Sequence, residues 1–247
     1  MGGNEMVVEW NISNDRLLER YAVVGSFYQL KLRDEMTKIS CRNDLHIIDK
    51  AHQQENGGNS KAQLLMIMMN PGKSRPLRQT TISEYGRIHA ASTIQGTPYV
   101  DTLPDDTQYQ VMKLMWNLNL KHARVINISD IRNTKSQHFA LEVDEINAID
   151  DIHSIFCPER REELTEVIEQ LDENAVIFKA WGKTIVDKSN HFRQLVKNYC
   201  LPSLPEGVRA VGIQGNSRLH FNHPLPQGGQ SLQKQWVKDA YRLLVEV

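Results

Sequence analysis

Four short apolar runs set the strongest constraint on how this chain folds. Leu64–Met69, Ala123–Ser129, Ala175–Trp181 and Val208–Gln214 are each bounded by turn or polar residues. Leu64–Met69 is apolar without interruption, as expected of a strand covered on both faces. Between the runs lie segments of helical period. Asp105–Leu118 opens behind Pro104 with two acids and places Val111, Met115 and Leu118 on one face. The segment from Cys157 to Leu171 carries Pro158 near its start and acids early, and it also reads as a helix. Gly182–Tyr199 is expected to be one helix with Ile185, Phe192, Val196 and Tyr199 inward. Ser231–Leu244 is expected to close the chain with Leu232, Trp236, Ala240 and Leu243 inward.

Strands alternating with helices imply right-handed βαβ units and a parallel sheet. The expected fold class is therefore α/β, a three-layer α/β/α sandwich around a central four-stranded, mainly parallel sheet. Polar "QQENGGNSK", Gln53–Lys61, marks a boundary. Residues 1–60 are expected to form an N-terminal extension packing on the core, and residues 61–247 the α/β/α domain. Within the extension, a helix is expected near Asn14–Tyr21, and "SFYQLKLRDEM" alternates as a strand does.

The formal net charge of -1 argues against a protein that coats DNA non-specifically, though it allows a local basic site. Cys41, Cys157 and Cys200 form no pair at metal or redox spacing and read as reduced thiols. No apolar run approaches the roughly 20 residues of a membrane span, and "MGGNEMVVEW" has no signal-like apolar region. No membrane partner and a cytoplasmic location are expected.

In open parallel sheets ligands bind at the carboxyl ends of the strands, so the residues just past each run are the informative ones. The first run stops on Asn70-Pro71-Gly72-Lys73, with Arg75 and Arg78 beyond. The second ends Asn127-Ile128-Ser129-Asp130 and continues into Arg132. The third ends Trp181-Gly182-Lys183, and the fourth is followed by "NSRLHFNHPLPQGG". Each fragment has a bland reading. Asn-Pro-Gly makes a turn, the cations sit in solvent, Trp181 packs in the core, and Asp130 pairs with Arg132. Their shared topological position favours a site. An Asn amide orients a water or reads a base edge, a His donates to a developing anion, and backbone N–H groups near Gly72 and Gly182 suit a phosphate. His220 and His223 lie three apart in a loop without an acidic or cysteine cluster, so no metal and no cofactor are expected.

These residues carry a resemblance. The order Asn70-Pro71-Gly72, Asp105-Asp106-Thr107, Asn127 with Arg132-Asn133-Thr134, Trp181-Gly182 and His223-Pro224-Leu225 resembles the bacterial and phage family called domain of unknown function 1643. That family shows NPS, DPT, an N-rich strand end with RAT, WG and HPLY at these places. Gly72, Asp106 and Pro226 depart from it. The resemblance brings no activity with it. More distantly the same strand ends resemble the uracil-DNA glycosylase superfamily, which implies a uracil-DNA glycosylase-like sandwich. By that resemblance Asn70 positions the attacking water, Asn127 reads the base, and His223 stabilises the departing base anion. Pro71, Gly72, Lys73, Asp106, Asp130, Arg132, Trp181, Gly182 and Lys183 would line the substrate site. Gln227 stands where the superfamily wedges a Leu into the duplex, leaving Leu225 as the one candidate wedge in this loop. Tyr85 and Tyr99 are the candidates for stacking on a base. The implied partner is a nucleotide, or a single-stranded or modified nucleic acid, cleaved at its N-glycosidic bond. The alternatives are a non-catalytic binding module on the same fold and a protein–protein adaptor.

Overall fold

The computed structural model describes residues 8–32, 37–55, 60–86, 94, 96–133 and 136–246. In chain order its first elements are α1 (Asn14–Arg20), β1 (Tyr21–Lys31), β2 (Lys38–Asp49) and α2 (Lys50–Glu55). Next come β3 (Ala62–Met68), β4 (Arg75–Pro76), β5 (Ser83–Gly86), β6 (Tyr99–Leu103), α3 (Asp106–Leu118) and β7 (His122–Asn127). Then follow α4 (Ser136–Ile149), α5 (Arg161–Glu169), β8 (Leu171–Lys179), α6 (Lys183–Lys188), α7 (Asn190–Gln194), β9 (Arg209–Val211) and α8 (Gln230–Val245). Among the described residues no helix is long and apolar enough to cross a membrane.

The class is α/β, but the sheet has nine strands rather than four. Its order is β4-β6-β1-β2-β7-β3-β8-β9, with β5 paired to β1. The four apolar runs give β3, β7, β8 and β9, neighbours that run parallel to one another. Of the other five strands, the two longest, β1 and β2, come from the region expected to be an extension. β1 and β2 form an antiparallel pair, and β2 joins β7 from Asp44 opposite Ile126 to Ile48 opposite His122. Tyr21–Lys31 and Lys38–Asp49 therefore lie in the sheet, not on it. Of Gln53–Lys61, residues 53–55 finish α2, and 56–59 lie outside the described residues.

Both faces of the central strands β3 and β7 are buried, which is why β3 reads as an unbroken apolar run. On one face Leu65 and Ile67 meet Phe139, Val143, Val167 and Phe192 from α4, α5 and α7. On the other, Leu64, Met66 and Met68 meet Val111 and Met115 of α3 and Trp236 and Ala240 of α8. Each such side chain contributes about 1.5–3 kcal/mol by leaving water. Leu232 of α8 departs from the inward stripe and is 48% exposed. It lies against Gly228, in a turn where Gly228 and Gly229 both take positive φ.

The expected helix 182–199 is broken. Ser189 takes an extended conformation, and its Oγ caps α7 by accepting from Phe192 N–H at 3.0 Å. The chain then continues as a π-helical turn over Leu195–Cys200. Ile185, Phe192 and Val196 are buried and Tyr199 is half-buried, so the inner face survives the break. Cys41, Cys157 and Cys200 are buried and form no disulfide.

Candidate functional site

Asn70 lies just past β3, and its amide nitrogen is committed. Nδ2 donates to the carbonyl oxygens of Ile131 at 3.3 Å and Asn133 at 2.7 Å. The carbonyl oxygen Oδ1 is then the group that Asn70 offers to the cavity it lines. The next residues are tied down one by one. Pro71 O accepts from Arg42 Nη1 at 3.3 Å, and Ser74 Oγ accepts from the same nitrogen. Gly72 has φ +65°, and a Cβ there would stand 2.7 Å from Asp105 Oδ2. That oxygen accepts from Lys73 N–H at 3.1 Å, while Asp105 Oδ1 caps α3 through Thr107 N–H at 2.9 Å. One carboxylate thus staples the Asn-Pro-Gly-Lys loop to the start of a helix.

The cavity is about 710 Å³, a size suited to a small organic ligand. Its wall is built from residues just past all four parallel strands: Asn70 after β3, Asn133 after β7, Trp181 and Gly182 after β8, and Ile213 after β9. His223, from the loop after β9, also lines it. Nδ1 of His223 accepts from Leu225 N–H at 3.1 Å, which places the imidazole proton on Nε2. Burial pushes the His223 pKa down to about 4, against the weaker opposite pull of Asp105. At neutral pH the ring is therefore uncharged and carries one N–H to donate. Lys73, Lys183 and Lys188 give the wall positive charge, balanced in number by Asp105, Asp106 and Asp239.

Asn70, Gly72, Lys73, Gly182, Lys183 and His223, all from the strand-end pattern, thus line one cavity, together with Asp106, which came from the family resemblance. Other expected members do not. Pro71, Asn127, Asp130 and Arg132 do not line this cavity. Asn127 is wholly buried at the end of β7, with neither side-chain polar atom bonded to another protein group. Asp130 does not pair with Arg132. It accepts instead from Arg160 Nη1 at 2.6 Å and Tyr28 Oη at 2.8 Å, and burial pushes its pKa up to about 7. Arg132 turns the other way and donates to Ser74 O at 2.8 Å. Trp181 reaches the wall but is a core residue. Its ring is fully buried edge-on to Phe221 at 5.0 Å, and Nε1 donates to Leu219 O at 2.8 Å.

The proposed stacking aromatics are elsewhere. Tyr99 donates to Asp44 at 2.8 Å, and the Tyr85 hydroxyl accepts from Thr97 at 3.1 Å. His220 sits against Asp187 at 2.9 Å and does not line the cavity with His223. Thr134 lies outside the described residues. Among the described residues one trio, Asp151, Cys157 and Glu159, gathers ligand atoms within 4.8 Å, and none of the three lines the cavity. The residue that the strand-end pattern misses is Asp105. Its signal was local, since Asp105 and Gln108 form a capping box.

Compared with protein-family models, curated proteins and solved structures, the chain shows no match.

Proposed function

We propose that the cavity hydrolyses the N-glycosidic bond of a nucleobase-bearing ligand, on a uracil-DNA glycosylase-like sheet of which β7, β3, β8 and β9 are the core. The observation that carries this is the complementary polarity of two side chains in one cavity. Asn70 presents an acceptor because its amide nitrogen is spent on two carbonyls. His223 presents a donor because Nδ1 is spent on Leu225 N–H.

In the reaction, the bond from the anomeric carbon to the base nitrogen breaks and the base leaves with the electron pair. The sugar passes through an oxocarbenium-like state, as in glycoside hydrolysis. His223 Nε2–H stabilises the charge developing on the base. Asn70 Oδ1 accepts a hydrogen bond from a water and aims its oxygen at the anomeric carbon. An amide takes no proton, so the water's proton passes to solvent as the new C–O bond forms. The same strand ends carry the resemblance to the uracil-DNA glycosylase superfamily, which supports the assignment of Asn70 and His223 to one site.

The buried position of Asn127 favours a second reading, a non-catalytic nucleotide or nucleic-acid binding module, because the expected base reader does not reach the wall. One experiment separates the two. Purified protein is incubated with a panel of modified deoxynucleotides and single-stranded oligonucleotides, and released base is quantified. We expect release that falls by about 10²–10³ in His223→Ala, the usual loss for one anion-stabilising donor, and by a similar factor in Asn70→Ala. Binding without release supports the module. Release that is unchanged in both variants removes these two residues from the chemistry.

A further inference from the structure

Gly72, Lys73, Asp105 and Asp106 also help to wall a second cavity of about 650 Å³, so the two cavities share the Gly72–Lys73 loop. The rest of its lining includes Arg75 and Arg132. These two guanidiniums are near enough for the charge of Arg75 to help lower the Arg132 pKa, after burial, which is the larger cause. The Arg132 plane lies over the Phe27 ring at 5.3 Å, and Nη2 donates to Ser74 O at 2.8 Å. Its Nε is buried without a protein partner. Among the described residues, none of Lys73, Arg75 and Arg132 forms an ion pair with a carboxylate. Asp105 keeps its negative charge in this wall, but its two oxygens accept from backbone N–H groups and make no direct ion pair with these cations. Asp106 is the one other acid in the wall.

Three cations lining one cavity with no carboxylate paired to them among the described residues, two of them planar forks, suit a phosphate. We propose that the second cavity is the phosphate subsite of the same ligand. Arg75, Arg132 and Lys73 grip a phosphate whose sugar and base cross the Gly72–Lys73 loop into the first cavity. This rests on the reading of the first cavity as a nucleobase site. The phosphate is the monoester of a free nucleotide or the diester of a single strand, and both present the same oxygens to the arginines.

Isothermal titration calorimetry at low salt tests this with inorganic phosphate, a nucleoside, its 5′-monophosphate and a single-stranded trinucleotide. We expect the monophosphate to bind at least about tenfold tighter than the nucleoside, an advantage that charge-assisted contacts of this kind supply. Arg75→Gln and Arg132→Gln should each remove most of it. A trinucleotide that binds tighter than the monophosphate assigns the subsite to a strand, and equal affinity assigns it to a nucleotide. If Arg132→Gln fails to fold, Arg75→Gln decides, since Arg75 is exposed. Equal affinity for nucleoside and monophosphate, an advantage that survives in Arg75→Gln, or no binding of any probe overturns the proposal. Inorganic phosphate that binds wild type and Asn70→Ala alike, but not Arg75→Gln, keeps the subsite even where base release is never seen.

Discussion

Asn70 explains why an amide, and not an acid, stands at the end of β3. Its Nδ2 makes two donations to backbone carbonyls, at 3.3 and 2.7 Å. A carboxylate there would set an anionic oxygen against two carbonyl oxygens that have lost their donor. Asn70→Asp is nearly isosteric, yet it should cost about 2 kcal/mol, the range for stranding buried hydrogen-bonding groups. For a chain of this size each kcal/mol is about 2–4 °C in Tm. The sign with pH follows from the same contact. The folded environment disfavours the ionised acid and raises its pKa above the unfolded value. The loss is therefore largest at neutral pH and shrinks as acidification protonates the group, which can then donate to one carbonyl. Differential scanning calorimetry of wild type and Asn70→Asp at pH 7 and pH 4.5 reads this directly. A variant as stable as wild type at pH 7 would mean that Nδ2 is not anchored as described.

At the scale of elements, the site depends on how a loop is joined to a helix. Asp105 caps α3 with one oxygen and holds Lys73 N–H with the other. Asp105→Ala loses both. The cap alone is worth about 0.5–2 kcal/mol. Asp105→Asn keeps one acceptor and should cost less in Tm than Asp105→Ala, while still lowering affinity for any ligand of the first cavity because the loop is freed. Melting curves paired with calorimetry on both variants check this, and an Asp105→Asn variant as stable as wild type would deny the second tether. The elements also show what was legible in the chain. Of the four parallel strands β3 is the plainest to read, because burial on both faces makes it a continuous apolar run. β2 could not be read. It carries Arg42, Asn43, Asp44 and His46 in its middle, and these make sense inside only with partners far away. Arg124 Nε donates to Asp44 at 2.8 Å, and Arg160 Nη2 to Asn43 at 2.8 Å, from 80 and 117 residues along the chain. α4 carries Phe139, Val143 and Ile146 at helical spacing, a signal that was available. Asn70 and His223 were legible as strand-end residues. The fate of Asn127 and Asp130 was not, since it turns on packing and on Arg160, which no strand-end pattern contains, whereas core packing was already the plain reading of Trp181.

For the whole molecule, the seam between β2 and β7 joins an antiparallel half to the parallel half that carries the site. Two buried polar networks sit along it. In one, Asp44 accepts from Arg124 Nη2 at 2.6 Å and from Tyr99 Oη at 2.8 Å. Burial alone would raise the Asp44 pKa, but Arg124 and His46 hold it well below the usual carboxylate range. In the other, Arg160 is wholly buried between Asp130 at 2.6 Å, Glu163 at 2.8 Å and Asn43. Removing one member of such a pair leaves an uncompensated charge and costs about 3–5 kcal/mol. Residues 61–247 alone would expose the edge of β7 and strip Arg124 of Asp44 and Arg160 of Asn43. The two halves should therefore unfold as one unit, and residues 61–247 should not fold by themselves. Asp44→Ala in the full chain should lower stability by about 3–5 kcal/mol in urea with the m-value unchanged, since the whole sheet still melts together. A 61–247 fragment that melts cooperatively with the helical signal expected for its share of the chain would show that the parallel half is an independent domain after all. The β2–β7 seam would then be a docking surface inside one chain rather than part of its core.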